Sequence, residues 1–214
     1  MQLASEAKGW RISSVAAHLP LVLAGALFLA SGFAALLYQI AWQRTLFGWY
    51  GVDLDSVSAI VSIFMLGLGG GALVGGWLAD RFPARRILVF SLVELTIGLF
   101  GLVSLDIIDG IGAHFAAEPL VVIVALTFAV FVVPTCAMGA TLPVLVTELT
   151  SRTGQVGAAT GALYFINTLG AAAGALVASH LLLRLGGLDL LTLIAACINI
   201  TIAVAAYAAF RSKL

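Results

Sequence analysis

Charged residues are scarce in this sequence. Lys, Arg, Asp and Glu make up 9% of its 214 residues, and ten basic residues balance ten acidic ones. The basic residues are scattered and form no basic face, which excludes nucleic acid as a partner. The mean hydropathy of +1.16 lies far outside the range of a water-soluble domain, so the bilayer is the expected solvent of this chain.

Cysteine is also rare, and the two present, Cys136 and Cys197, both fall inside apolar runs. A thiol in such a place usually behaves as a small hydrophobe. We therefore predict neither a disulfide nor a metal site, and we expect no cofactor. The apolar runs leave too little chain for a soluble catalytic domain, so no catalytic residue is predicted.

Long apolar runs are what the sequence has in abundance. A helix needs roughly 20 apolar residues to cross the hydrocarbon, and six such segments occur, at 20–43, 55–79, 86–105, 119–146, 154–183 and 189–210. The sequence predicts an all-α integral membrane protein with a six-helix domain over residues 20–210. Residues 1–19 are then an N-terminal segment and residues 211–214 a tail.

The basic residues predict an orientation for these spans. If both termini are cytoplasmic, Arg44 and Arg184 lie outside, and eight basic residues lie inside: Lys8, Arg11, Arg81, Arg85, Arg86, Arg152, Arg211 and Lys213. Positively charged loops stay in the cytoplasm. We expect a multi-pass protein of the inner (plasma) membrane with both termini inside.

Aromatic residues cluster where the first span leaves the membrane, at Tyr38, Trp42, Trp49 and Tyr50. Trp and Tyr are enriched at both membrane interfaces. The group is therefore predicted to form an interfacial aromatic belt that anchors the helix.

A shift of 103 residues lays the second span on the fifth. Eight of the sixteen positions in 66–81 are then identical to those in 169–184. Spans three apart cross the membrane in opposite directions, which is typical of an inverted repeat of three plus three helices. The halves would be about 20–105 and 119–210. The alternative is a coincidence between two spans rich in Gly, Ala and Leu.

Glycines recur along one face of the second span, at Gly67, Gly71 and Gly75, and the fifth span repeats them at Gly170 and Gly174. Small residues let helix backbones approach closely. These two helices are the predicted sites of close contact, either as static packing or as sliding surfaces.

A charged connection follows the second span and contains Asp80, Arg81, Arg85 and Arg86. An anion at the carboxyl end of a helix opposes the helix dipole, so Asp80 should hold a cation or a helix N-terminus as a cytoplasmic gate. The stretch resembles the signature between helices two and three of the major facilitator superfamily. Residues 83–84 depart from the usual glycine and basic residue, which leaves the turn geometry open.

Three further segments, 37–44, 134–143 and 164–171, read LYQIAWQR, PTCAMGATLP and YFINTLGA. Together they resemble the membrane half of fused facilitator/spermidine-synthase proteins. The resemblance implies a facilitator-like half, and in that family an aminopropyltransferase-like domain commonly follows. Such a domain would need a Gly-rich nucleotide loop after a strand, which is absent here, so we do not expect an enzyme.

Glu94 is the most prominent polar residue within a span, eight residues past Arg86 in the third helix. Ionisable residues inside spans are functional candidates by default. Glu94 is predicted either to bind a proton or cationic substrate, or to be a neutral acid that is hydrogen-bonded to Ser91 or to another helix.

Other polar residues share this prediction. Asn167 lies near the middle of the fifth span, and Gln39 and Gln43 share one face of the first. Thr141 lies in the fourth span, where Pro134 and Pro143 are expected to kink or interrupt the helix. These four residues, with Glu94, are the substrate- or proton-binding candidates.

Six helices are half the number of a full facilitator, which binds its substrate between two halves. We therefore predict a homodimer that moves a small solute, with a cation or polyamine as the first substrate to test. Two alternatives stay open. In the first, the chain is a non-transporting anchor for a separately encoded synthase-like protein. In the second, it is a fragment of a longer fusion.

Overall fold

The computed structural model describes residues 2–52, 54–115 and 117–211, with side chains described between residues 22 and 208 except at positions 56 and 120. These residues form helices and short turns, with no strand among them. A 3-10 turn, Pro83–Arg85, precedes the third helix and a π-helical turn, Ala178–Leu182, follows the fifth. The six α-helices are α1 (Gln2–Tyr50), α2 (Leu54–Arg81), α3 (Arg86–Phe115), α4 (Leu120–Thr153), α5 (Val156–Val177) and α6 (Leu183–Arg211).

Within the described residues, five helical stretches are long and apolar enough to cross a membrane: Val22–Tyr50, Val57–Arg81, Pro83–Phe115, Val121–Thr153 and Val156–Ala208. The prediction of an all-α membrane protein is confirmed. The last stretch has 53 residues because α5, the π turn and α6 follow one another without a loop, where the sequence predicts two spans and a short connection.

The helices are longer than the predicted spans. α1 begins at Gln2, within the segment expected to precede the first span, and α3 continues to Phe115 rather than ending at residue 105. Hydropathy identifies only the residues that cross the hydrocarbon layer. Backbone hydrogen bonding extends each helix beyond that layer into the interface. Residues 212–214 of the predicted tail lie outside the described residues.

Glycines with positive φ occur at three places where α-helical geometry stops: Gly51, Gly154 and Gly187. The last two bear on the junctions around α5. Gly154 adopts φ 71° and ψ 3° after α4, and its N–H donates to the Thr150 carbonyl oxygen at 2.8 Å. Gly187 has φ 66° and ψ −153° inside the last helical stretch and produces a kink. Residues with a Cβ rarely adopt either conformation, so glycine sets both positions.

The helices pair in a definite order. α2 packs chiefly on α4, α1 on α5 and α3 on α6, and α1 also contacts α6 while α4 contacts α3. A buried aromatic cluster lies within this bundle, with Trp42 stacked on Tyr38 and in edge contact with Phe100 and Phe131. α1 is therefore central, because it pairs with α5 and also contacts both other pairs, α3 with α6 and, through Phe131, α2 with α4.

The prediction of an interfacial aromatic belt is wrong for two of its four residues. Tyr38 and Trp42 are completely buried, and the Trp42 indole N–H donates to the Ser104 hydroxyl oxygen at 2.8 Å. Trp49 does lie at the surface, where its indole N–H donates to Asp109 Oδ1 at 2.7 Å. Chain position near the end of an apolar run does not reveal which face of a helix points inward.

Candidate functional site

Glu94 is a carboxyl group sealed inside the helix bundle. Its side chain has 0% exposure, and it receives one hydrogen bond on each oxygen. The Ser31 hydroxyl of α1 donates to Oε1 at 2.7 Å, and the Asn199 amide of α6 donates to Oε2 at 2.5 Å. One acid on α3 therefore joins three helices that are far apart in sequence.

The hydrogen-bond partners of Glu94 do not include Ser91, the nearest partner expected from the sequence. Ser91 is buried, but its hydroxyl has no hydrogen-bond partner among the described residues. Its position one helical turn before Glu94 does not produce a hydrogen bond between the two side chains. The alternative from the sequence, a carboxyl bonded to another helix, matches the observed arrangement with two other helices.

A polar cavity of about 40 Å³ lies beside this cluster. Residues from five helices line it: Ser31, Ala35, Ile97, Met138, Thr141, Asn167 and Asn199. Three of them, Ala35, Met138 and Asn167, are half-buried, so the least buried lining residues come from α1, α4 and α5. Thr141 and Asn167 thus join Glu94 at one polar centre.

Asn167 and Thr141 are both tied to backbone carbonyls. The Asn167 amide donates to the Phe28 carbonyl oxygen at 3.1 Å, across the contact between α5 and α1. The Thr141 hydroxyl donates to the Met138 carbonyl oxygen at 2.8 Å within α4. These bonds orient both side chains and leave their oxygen lone pairs available to a ligand.

The expected interruption of α4 does not occur. The helix runs unbroken from Leu120 to Thr153 with Pro134 and Pro143 inside it. Threonine hydroxyls donate to backbone carbonyls around these prolines, with Thr135 bonded to Phe131 at 2.6 Å and Thr147 bonded to Pro143 at 2.8 Å. These bonds go to Phe131 and Pro143 rather than to Val130 and Gly139, whose carbonyl oxygens lose their amide partner at the two prolines.

Gln39 and Gln43 lie apart from this centre. Gln39 is exposed and Gln43 is half-buried, whereas the neighbouring Tyr38 and Trp42 are completely buried. Neither glutamine lines the cavity beside Glu94. If the two glutamines line a transport pathway, that pathway must therefore run along the outer surface of this bundle.

The predicted gate residues lie at the end of α2 and in the turn after it. Asp80, Arg81 and Arg85 are exposed, and among the described side chains the one ion pair is Arg152 with Glu148. Arg86 donates from Nε to the Ala79 carbonyl oxygen at 2.9 Å, so a cation meets the carboxyl end of α2, as its dipole favours. Within the described residues Asp80 has no such partner.

The glycine faces are used inside the bundle. A methyl group added at Gly71 would lie 2.6 Å from the Cys136 Cα, and one at Gly75 would lie 2.6 Å from the Ala140 Cα. Gly67 is pressed against Thr135 in the same way. The stripe on α2 therefore lets α2 and α4 approach backbone to backbone.

The fifth helix uses its glycines against α1. A methyl group at Gly174 would lie 2.5 Å from the Phe33 carbonyl oxygen, and Gly170 meets the Leu29 carbonyl oxygen. In return, Gly32 of α1 receives the backbone of Asn167. Close contact at this position holds Asn167 beside the cavity.

Neither Ser31 nor Asn199, the two hydrogen-bond partners of Glu94, was selected from the sequence. Both are polar residues inside apolar spans, and that signal alone makes a residue a candidate in a membrane helix. Asn199 is 105 residues from Glu94, so only the folded arrangement shows that they meet. The described residues contain no group of three or more His, Cys, Asp or Glu side chains placed to hold a metal ion.

Comparison with known proteins identifies the family. No curated protein and no solved structure matches the chain significantly. The sequence profile of the Major Facilitator Superfamily, in contrast, matches residues 21–213, which is nearly the whole chain. This match agrees with the apolar helices and with a polar centre buried between them. The chain is therefore a multi-pass membrane protein that belongs to the Major Facilitator Superfamily.

Proposed function

We propose that this protein is a half-size facilitator that homodimerises and moves a small solute by alternating access. The observation that carries the proposal is Glu94, an acid with 0% exposure that two other helices hydrogen-bond beside a polar cavity. A buried polar network in a membrane helix bundle costs free energy, so a bundle that served only as an anchor would have little reason to retain it.

The proposal includes six membrane crossings. The stretch Val156–Ala208 has 53 residues, which as a helix would extend about 80 Å, well over twice the hydrocarbon thickness of about 30 Å. The kink at Gly187 divides it. On the two sides of the kink, α5 packs chiefly on α1 and α6 packs chiefly on α3. Six crossings and the distribution of basic residues leave both termini on the cytoplasmic side of the plasma (inner) membrane.

Helix contacts support an inverted repeat of three plus three helices. Exchanging α1 with α4, α2 with α5 and α3 with α6 converts the contact between α1 and α5 into the one between α4 and α2, and both are extensive. The same 103-residue shift applies to single residues. Gly71 meets Cys136, and Gly174 meets Phe33. Adding 103 to 71 gives 174, and adding it to 33 gives 136.

Small residues on the outer faces of α2 and α5 support the homodimer. Gly69 on α2 and Gly161 on α5 have no heavy atom of the described residues within 4 Å of an added Cβ. Thr168 and Ala172 extend the exposed small face of α5. Such faces suit close association with another helix, and a second copy would supply the missing half. Gln39 would then face a pathway between the two copies.

The cytoplasmic connection is proposed as the gate of this pathway. Asp80, Arg81 and Arg85 are exposed, and Arg86 is fixed on the end of α2. In a dimer that rocks between two states, the exposed charges are free to pair in one state only, which is what a latch needs.

A small cation or a polyamine is the proposed substrate class, because the polar centre contains one acid and, within the described residues, no basic partner for it. The alternative is a non-transporting module that binds a separately encoded synthase-like enzyme. The segments 37–44, 134–143 and 164–171 favour this alternative through their resemblance to the fused proteins.

The test is uptake into liposomes that contain the purified protein. Radiolabelled polyamines and small organic cations are supplied outside, and accumulation is measured for the unmodified protein, Glu94→Gln and Glu118→Gln. Glu118 is exposed in the connection between α3 and α4, so it controls for the loss of one carboxylate. We expect uptake that Glu94→Gln lowers at least tenfold and Glu118→Gln leaves unchanged. Absence of uptake, with co-purification of a synthase-like protein, would favour the anchor.

A further inference from the structure

The polar side chains that line the cavity beside Glu94 donate hydrogen bonds to other groups of the protein. Ser31 donates to Glu94 and Thr141 donates to the Met138 carbonyl oxygen. Asn167 donates to the Phe28 carbonyl oxygen, and Asn199 donates to Glu94. Each side chain keeps oxygen lone pairs that are free to accept. Each asparagine also retains a second amide N–H, so the lining offers more oxygen lone pairs than donors to whatever enters.

One of these oxygens is left without a partner. Asn199 is 2% exposed, and its Oδ1 atom has no hydrogen-bond partner among the described residues. A buried amide oxygen without a partner costs about 1–3 kcal/mol. Because Asn199 lines the cavity, a ligand there would relieve this cost.

The charge of the cluster points to the class of ligand. Both oxygens of Glu94 are hydrogen-bonded to neutral partners, the Ser31 hydroxyl and the Asn199 amide, and neither supplies a compensating charge. No described Lys or Arg side chain forms an ion pair with it. An unpaired carboxylate within a membrane bundle is strongly unfavourable, and a cation in the adjacent cavity would compensate it.

The size of the cavity limits that cation. One water-sized group needs about 10–15 Å³ of such volume, so a cavity of about 40 Å³ takes an ion with a water or two. A polyamine chain does not fit. The ligand of this cavity is therefore an inorganic cation, and a larger organic substrate would bind outside the cavity, on the pathway between the two copies.

We infer that this cavity is a Na⁺ site, in which Asn199 Oδ1 and the Thr141 and Ser31 hydroxyl oxygens bind the ion and Glu94 supplies the countercharge. The inference rests on the proposed function, because it names the ion that would drive solute movement. In this arrangement Na⁺ neutralises Glu94 and joins α6, α4 and α1 through shared oxygen ligands.

Thermal unfolding of the purified protein in detergent tests the site without any transport measurement. NaCl is titrated against N-methyl-D-glucamine chloride at constant ionic strength, and Tm is followed by circular dichroism. We expect a saturable rise of about 4 °C with Na⁺ and none with the large organic cation. Glu94→Gln should abolish the rise, and Thr141→Val should shift its midpoint at least tenfold to higher Na⁺.

Thr192→Val is the matched control for Thr141→Val. Both threonines are 5% exposed, and Thr192 bonds only to backbone carbonyls of its own helix, at 3.4 and 3.1 Å. Its variant should keep the full Na⁺ response. Equal stabilisation by the two chlorides, or a Na⁺ response that survives Glu94→Gln, would overturn the site.

The outcomes separate this inference from the proposed function. Solute uptake that is identical with and without Na⁺, together with no effect of Na⁺ on Tm, would overturn the ion site while transport stands. Na⁺-dependent stabilisation without uptake of any solute would support the ion site and count against transport.

Discussion

Buried polar side chains in this bundle differ in how well their hydrogen-bonding atoms are satisfied. Trp42 has its indole N–H bonded to Ser104 at 2.8 Å, whereas the neighbouring Tyr38 hydroxyl is buried without a partner among the described residues. The two rings stack with centroids 4.9 Å apart. Removing the polar atom of each residue should therefore affect stability very differently.

We expect Trp42→Phe to lower the free energy of unfolding by about 2–3 kcal/mol, because it removes buried ring volume and leaves Ser104 without one partner. Tyr38→Phe should leave stability unchanged or raise it by about 1 kcal/mol, because it removes an unsatisfied hydroxyl. Thermal unfolding in detergent compares the two variants. Similar losses would show that the Tyr38 hydroxyl has an important partner.

At the residue scale, the sequence identified Glu94 through its charge within an apolar run, but it did not identify the partners of Glu94. Ser31 and Asn199 are 63 and 105 residues away. Whether such residues meet depends on how each helix is rotated about its axis. The helices here are apolar on most of their circumference, so the hydrophobic pattern that normally reveals this rotation is nearly absent.

At the element scale, glycine positions separate the contacts inside the bundle from its outer faces. Gly71 lies against the α4 backbone, whereas Gly69, two residues earlier on the same helix, has no heavy atom of the described residues near its added Cβ. The same amino acid on one helix therefore has two physical roles.

Gly71→Ala should destabilise the monomer in detergent by about 1–3 kcal/mol, because its methyl group overlaps the Cys136 backbone and forces α2 away from α4. Gly174→Ala should cost a similar amount through Phe33. Gly69→Ala is the control on the same helix and should be neutral, since alanine still leaves the outer face small. The Tm of each variant gives the comparison, and a neutral Gly71→Ala would contradict the close approach of α2 and α4.

Gly187 gives an element-scale prediction of a different kind. Its φ of 66° and ψ of −153° belong to a region that residues with a Cβ scarcely populate, at a cost of about 1–3 kcal/mol. Gly187→Ala should lower Tm accordingly. Gly110→Ala on α3, where an added Cβ meets no described atom within 4 Å, should leave Tm unchanged or raise it. Equal Tm values for the two variants would contradict a glycine-specific kink at Gly187.

The elements themselves were largely predictable. Helix type and approximate position follow from the apolar runs, because a lipid environment leaves few alternatives to a helix. The junction of α5 and α6 was not predictable, because polar residues around Arg184 and Asp189 suggest a loop, whereas the structure has a π turn and a kink. A local hydrogen-bond shift of this kind has no distinct composition.

At the scale of the whole molecule, the proposed homodimer would form through the outer faces of α2 and α5. Gly69→Leu and Gly161→Leu place large side chains on these faces and should lower the crosslinked dimer fraction in native membranes at least threefold. Val204→Leu is the control, because Val204 is 62% exposed on α6, away from both faces. A dimer fraction insensitive to both glycine variants would exclude these faces as the interface.

We propose that two copies form one transport unit through the acid on α3, and mixing two kinds of chain tests this directly. Unmodified protein and Glu94→Gln are co-expressed in known ratios, and solute uptake into liposomes is measured against the fraction of unmodified chains. If both copies must supply Glu94, an equal mixture retains about one quarter of the uptake, whereas independent monomers retain about one half. A quadratic dependence is the predicted result, and a linear dependence would contradict it.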